Sequence, residues 1–253
     1  MKVFRKIAEW QKFRSSVEMT EKSLGFVPTM GALHEGHASL VERSKKENHF
    51  TLVSIFVNPT QFDDPEDFRK YPLTLEADLK KLEFLGADFV LVPDAAEIYA
   101  DQYRYHVSET KLSQTLCGPS RPVHFQGVLT VVLKLLNLAR AQKAYFGEKD
   151  FQQYLLVKGM AEAFFMETAI IPCPTIREGD GLAMSSRNRR LSQAERERAA
   201  LFPKLLLSNE EDGPVAQALE DHGFAVDYIK TVEGRRFGAV KLGSVRLIDN
   251  VGR

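Results

Sequence analysis

His34 and His37 stand three residues apart in the run Pro28-Thr29-Met30-Gly31-Ala32-Leu33-His34-Glu35-Gly36-His37. A short apolar stretch, Leu24 to Val27, precedes it, and a helical pattern begins near Ala38. Strand, glycine-containing turn and helix in that order put both imidazoles where backbone approaches a ligand closely. Helix N-termini carry unpaired N–H groups and the positive end of the dipole, so the guest this stretch suits is an anion, phosphate above all.

Four readings compete for it. Zinc hydrolysis uses His-Glu-x-x-His, which sets both ligands on one helical face; the spacing here is His-Glu-Gly-His. A P-loop needs Gly, four residues, Gly, Lys and Ser/Thr. Gly31 and Gly36 have that spacing, but His37 and Ala38 occupy the Lys and Ser/Thr positions, so a kinase or ATPase lacks its lysine. A purely structural reading makes the histidines capping or surface residues. The fourth is a resemblance to the His-x-Gly-His signature of nucleotidyl-transferring enzymes, whose histidines contact phosphates and stabilise the transition state at the α-phosphorus.

The elements that must position these residues alternate along the chain. Strands are expected at Leu24–Val27, Phe50–Val57, Ala87–Val92, Lys143–Phe146 and Thr168–Ile171. Helices are expected at Ala38–Asn48, Leu75–Leu85, Phe125–Arg140 and Phe151–Phe165. Such alternation predicts an α/β fold, a Rossmann-like parallel sheet with helices on both faces. Its ligands bind outside the carboxyl ends of the strands. After Pro174 the texture changes to a polar loop, a charged helix from near Ser192, a helix at Val215–His222 and strands at Phe224–Val232 and Ala239–Ile248. The expected organisation is a nucleotide-binding domain over 1–174 and a small α+β lid domain over 175–253.

Composition narrows the partners. The 253 residues carry 34 Lys and Arg against 34 Asp and Glu, so no broad field for nucleic acid or membrane is present. The two cysteines, Cys117 and Cys173, form no disulfide framework or metal spacing, which fits a reducing cytoplasm. No apolar signal core follows Met1 to Lys6. The apolar run Val128–Leu138 is broken by Lys134 and Asn137, so it is not a membrane span.

Each expected strand runs into a polar cluster. Phe50–Val57 ends in Asn58-Pro59-Thr60-Gln61, and Lys143–Phe146 ends in Gly147-Glu148-Lys149-Asp150, with Gln153 close behind. Thr168–Ile171 leads to Ile176 and on to Met184-Ser185-Ser186-Arg187. Singly, each has a plain alternative: Asn58-Pro59 starts turns, Gly147 suits a tight turn, and Lys149, Gln61 and Gln153 suit solvent. Adjacent hydroxyls with Arg187 make an oxyanion cradle. Arg121 binds an anion or is simply exposed. Local context gives Tyr71, His106, Cys117 and His124 structural roles, and the charged run Glu195 to Arg198 a solvated helix face.

Together the motifs PTMGALHEGH (28–37), NPTQF (58–62), RPVHFQGVLTVV (121–132), FGEKDFQQ (146–153) and PTIREGDGLAMSSRN (174–188) resemble those of the pantoate–β-alanine ligases. The resemblance implies a two-step reaction. Pantoate's carboxylate attacks the α-phosphorus of ATP, giving an acyl adenylate and pyrophosphate; the amine of β-alanine then displaces AMP. It implies Mg2+ and a cytoplasmic homodimer. It places ATP on Met30, Gly31, Ala32, Leu33, His34, Glu35, Gly36 and His37, on Gly147, Glu148, Lys149 and Asp150, and on Ile176, Met184, Ser185, Ser186 and Arg187. Of these, His37, His34, Lys149 and Arg187 act on the reacting phosphate. Gln61 and Gln153 match the pantoate positions, Gln61 touching β-alanine as well. Metal ligands are unassigned, with Asp150 a candidate. Two departures stand out: Val123 replaces a usual Gly, and the C-terminal region looks short. Other His-x-Gly-His adenylyl- or cytidylyltransferases, a class I aminoacyl-tRNA synthetase fragment and a non-catalytic nucleotide sensor are the alternatives.

Overall fold

The computed structural model describes residues 1–16, 19 and 21–253. Six parallel strands form the main sheet: β1 (Lys2–Phe4), β2 (Leu24–Thr29), β3 (Phe50–Ile55), β4 (Phe89–Leu91), β5 (Lys143–Gly147) and β6 (Ala169–Cys173). Their order is β1-β4-β3-β2-β5-β6. The chain therefore builds outward from β2 on one side through β3 and β4, then crosses back to lay β5 and β6 on the other. A crevice at the carboxyl ends of β2 and β5 is the consequence, the place where open α/β sheets take ligands.

Alternating side chains of each strand feed two cores, as pleating requires. Phe26 and Leu52 join one cluster with Trp10, Leu129, Leu136 and Val157, under helices Ile7–Arg14, His124–Ala139 and Phe151–Ala163. Val27 and Val53 join the other with Leu40, Val41 and Leu82, under helices Glu35–Glu47 and Leu75–Phe84. The sheet is covered on both faces, as the alternation predicted. Buried Arg14 donates to the carbonyls of Ala139 and Arg140, which satisfies the end of helix His124–Ala139. Strand β1 and helix Ile7–Arg14 have no counterpart in the sequence reading, because three strand residues carry no usable alternation.

Beyond β6 lie three antiparallel strands, β7 (Ala225–Val232), β8 (Arg235–Leu242) and β9 (Val245–Gly252), in the order β7-β8-β9. The single strand expected at Ala239–Ile248 is in fact a hairpin, with Gly243 and Ser244 between β8 and β9. Short apolar runs flank that turn on both sides, so they read as one. Phe202, Leu206, Val215, Leu219 and Val240 form a separate core that also takes in Leu182. Arg196 departs from the solvated face expected of it: it pairs with Glu178 and Asp180 and so ties down the 178–188 loop. Among the described residues, no helix is long and apolar enough to cross a membrane.

Candidate active site

A cavity of about 260 Å³ opens at the β2/β5 crevice. Met30, His34, Gly36 and His37 line it from the loop after β2 and the start of helix Glu35–Glu47, and Gly147, Lys149 and Asp150 from the turn after β5, with Gln153 from the first turn of helix Phe151–Ala163. Gln61 enters from the turn after β3, and Ile176, Met184, Ser185, Ser186 and Arg187 from the segment beyond β6. Four expected clusters thus converge on one space. Gly31, Ala32, Leu33, Glu35 and Glu148 do not line it. Ala32 and Leu33 are buried, and their N–H groups donate to the two carboxylate oxygens of Asp78 at 2.9 and 2.8 Å. Glu35 is exposed and pairs with Lys81. The backbone carbonyls of Glu148 and Lys149 accept from the Asn250 side chain, on β9, at 2.8 and 2.9 Å.

The two histidines begin helix Glu35–Glu47 in a reciprocal cap. Gly36 N–H donates to His34 Nδ1 at 3.1 Å, and His34 N–H donates to His37 Nδ1 at 3.3 Å. These two N–H groups, which the sequence reading offered to phosphate, are taken up by the rings. Each imidazole acts as a relay. An N–H can only donate, so both Nδ1 atoms are bare and each neutral ring carries its proton on Nε2. Neither Nε2 has a protein partner among the described residues. Glycine at 36 leaves the ring its place, since a Cβ there would sit 2.8 Å from His34 Cε1 and push the imidazole aside.

Electrostatics keep these rings neutral. Burial, then Lys149 and Lys81, lowers His34 to about 4; burial and the neighbouring His34 lower His37 to about 3. The ring centroids are 4.2 Å apart, too close for two imidazolium ions to be favourable. Lys149 lies 3.8 Å from Asp150. Arg187 is held on Asp67 at 2.7 Å and lies 5.9 Å from the Tyr71 ring.

The sequence reading left several cavity residues without a role. Asn58, Tyr71, Arg121 and His124 also form its wall. Asn58 donates to Gln61 Oε1 at 3.0 Å and to the Gly127 carbonyl at 3.2 Å, and its own oxygen accepts from Tyr99 at 2.6 Å. That arrangement turns Gln61 Nε2, a donor, toward Met30 and the cavity. A Cβ on Gly127 would lie 2.3 Å from the Thr60 carbonyl, so only glycine lets the helix approach this turn. Asn58-Pro59 was visible as a turn starter; its buried amide relay was not, because it depends on Tyr99 and Gly127 from distant elements. Val123 has φ −101°, open to any residue, and its N–H donates to Asp63 at 3.2 Å. The loop therefore accepts valine in place of glycine.

Two imidazoles, a lysine and an arginine thus surround the strand-end crevice of a parallel α/β sheet. A family model described as Pantoate-beta-alanine ligase matches residues 2–252, and the chain belongs to that family. It is 51% identical over 250 residues to pantothenate synthetase of Legionella pneumophila, covering 99% of both chains. It is 51% identical over 249 residues to that of Bdellovibrio bacteriovorus, covering 98% of both. Full coverage corrects the impression of a short C-terminal region. Among solved structures, a Francisella tularensis pantoate-beta-alanine ligase complexed with beta-gamma ATP and beta-alanine superposes with TM-score 0.94 at 40% identity, covering 100% of this chain and 97% of that one. A Thermus thermophilus pantothenate synthetase gives 0.90 at 37%, covering 100% and 99%. The reaction is accordingly the ATP-dependent, amide-forming ligation of pantoate and β-alanine in pantothenate biosynthesis.

Proposed function

We propose that the ligation runs through a pantoyl adenylate formed in the β2/β5 cavity. The observation that carries this is the pair of Nε2–H donors on His34 and His37, facing the same space as Lys149. Pantoate's carboxylate is itself the nucleophile, so no side chain need be activated. The protein must bring two anions together and stabilise charge as it builds on the α-phosphate. His34, His37, Lys149 and Arg187 supply the donors. Gly36, Gly147, Ile176, Met184, Ser185 and Ser186 shape the nucleotide's bed. Gln61 and Gln153 hold pantoate, Gln61 as donor to an oxygen. Ala32, Leu33 and Glu148 serve ATP indirectly, through backbone groups that Asp78 and Asn250 fix, Gly31 through its N–H on the Thr29 hydroxyl, and Glu35 through its carboxylate on Lys81.

Asp150 faces the cavity with its side chain 46% exposed and only a long approach to Lys149, so its carboxylate is free to meet a hard cation. Mg2+ held there and by the nucleotide would neutralise phosphate charge. Closure of 178–188, part of the lid unit 175–253, excludes water from the adenylate. A cytoplasmic homodimer completes the reading.

The test is pantoate-dependent exchange of pyrophosphate into ATP with β-alanine absent, followed by AMP release on its addition. Exchange without AMP release before β-alanine is the expected result. A nucleotide sensor would bind ATP and show neither, and no exchange would rule the adenylate out.

A further inference from the structure

Three histidines line the cavity, and their backbone partners set them in opposite senses. His34 and His37 receive backbone N–H groups on Nδ1 and show donors to the cavity. His124 is reversed: its Nδ1 lies 2.9 Å from the carbonyl oxygen of Gln61. A carbonyl can only accept, so Nδ1 carries the proton and the neutral ring presents a bare Nε2. That nitrogen has no protein partner among the described residues, although the side chain is only 8% exposed. The two amide acceptors nearest to it are committed. Asn58 Oδ1 takes Tyr99 and Thr60, and Gln61 Oε1 takes Asn58.

The second half-reaction needs what this nitrogen offers. An amine attacks through its lone pair, and its N–H groups need an acceptor that holds the lone pair toward the acyl carbon. Donors cannot do this, and they dominate the phosphate side. Resting on the adenylate reading above, we propose that His124 Nε2 accepts the N–H of β-alanine's amine and so aims it at the acyl carbon beside Gln61. The C–N bond forms, and the bond from the acyl carbon to the phosphate oxygen breaks. AMP leaves with that electron pair, and the amine's proton passes by way of Nε2 to water.

The surroundings keep the acceptor available. Burial, then Arg121, lowers His124 to about 3; Arg187 acts the same way and Asp150 opposes both. The ring is therefore neutral, and its Nε2 lone pair free, near neutral pH.

His124→Asn separates the two faces of the ring. Asparagine keeps an N–H near the Nδ1 position for the Gln61 carbonyl and removes the Nε2 lone pair. Pyrophosphate exchange should persist near the wild-type rate while amide formation falls on the order of 10²-fold. His124→Gln, whose amide reaches the Nε2 position, should recover part of that loss. Equal loss of both half-reactions in a folded His124→Asn variant, or undiminished amide formation, would overturn the proposal. Should that variant not fold, the ¹⁵N shifts of His124 in the wild-type protein decide. A bare Nε2 that shifts when β-alanine is added supports the acceptor, and an Nε2–H tautomer rejects it. A wild-type protein without exchange would instead remove the adenylate reading beneath it.

Discussion

Arg187 rests on Asp67, Nη2 to Oδ2 at 2.7 Å, and Arg190 holds the other oxygen of the same carboxylate at 2.7 Å. Burial works to raise the Asp67 carboxyl, but the two guanidiniums outweigh it and hold it below the usual range. On the proposed reading, phosphate competes with Asp67 for Arg187. Asp67→Asn should tighten ATP binding, by no more than about fivefold, because partly exposed pairs of this kind are worth about 0–1 kcal/mol. Calorimetric titration reads this directly. Weaker binding would mean that Asp67 positions Arg187 instead of restraining it.

On the proposed reading, His37→Ala and Lys149→Ala each delete a donor to the reacting phosphate. Loss of one such donor costs roughly 10²–10³ in rate. Rapid-quench measurement of adenylate formation should show that loss in both variants, and a near-normal rate in either would reassign its residue.

Asp78 is 4% exposed and ties the Ala32 and Leu33 N–H groups to the Thr74 hydroxyl. Its removal orphans buried donors that had a charged acceptor. Asp78→Ala should cost about 3 kcal/mol of stability, in the range for charged hydrogen bonds. Urea unfolding gives the value, and a change near zero would show that the loop closes without the carboxylate.

Protonation should weaken the fold on the acid side of neutrality. His34, His37 and His124 have folded pKa values of about 4, 3 and 3, below the unfolded value of 6.5. Their contribution is complete above pH 6.5 and is lost as pH falls toward those values, because the unfolded chain binds protons first. Glu47, lowered to about 2 by Arg43 and Lys143, adds a loss of the same sign only below its unfolded 4.5. The interval from pH 6.5 to 5 therefore reports the histidines. The urea midpoint should drop across it, and less steeply in His37→Ala.

Much of this architecture was legible because it is periodic or local. The two-faced sheet followed from apolar strands alternating with helices, and the clusters after Val57, Phe146 and Ile171 followed from where strands stop. What escaped depends on distant pairings. Asp78 looks like any helix residue until Ala32 and Leu33 fold onto it. Asn250 gains its meaning only from the carbonyls of Glu148 and Lys149, and Tyr99 only from Asn58. His124 looked structural because its role is decided by which ring nitrogen meets the Gln61 carbonyl. The 239–248 hairpin was lost because two apolar strands flank a turn too short to break the pattern.

The sheet order has a kinetic consequence. β2 pairs with β3, its next neighbour in the chain, and with β5, whose Lys143 lies opposite Gly25. The first pairing is closed across a single crossover helix, Glu35–Glu47, while the second spans more than a hundred residues, and such distant parallel pairings are slow to form. The histidine half of the cavity thus takes shape with the early β2–β3 unit, and Lys149 arrives only when β5 docks. Nucleotide added during refolding would find its grip completed last, so recovery of ATP binding should trail the recovery of helical signal.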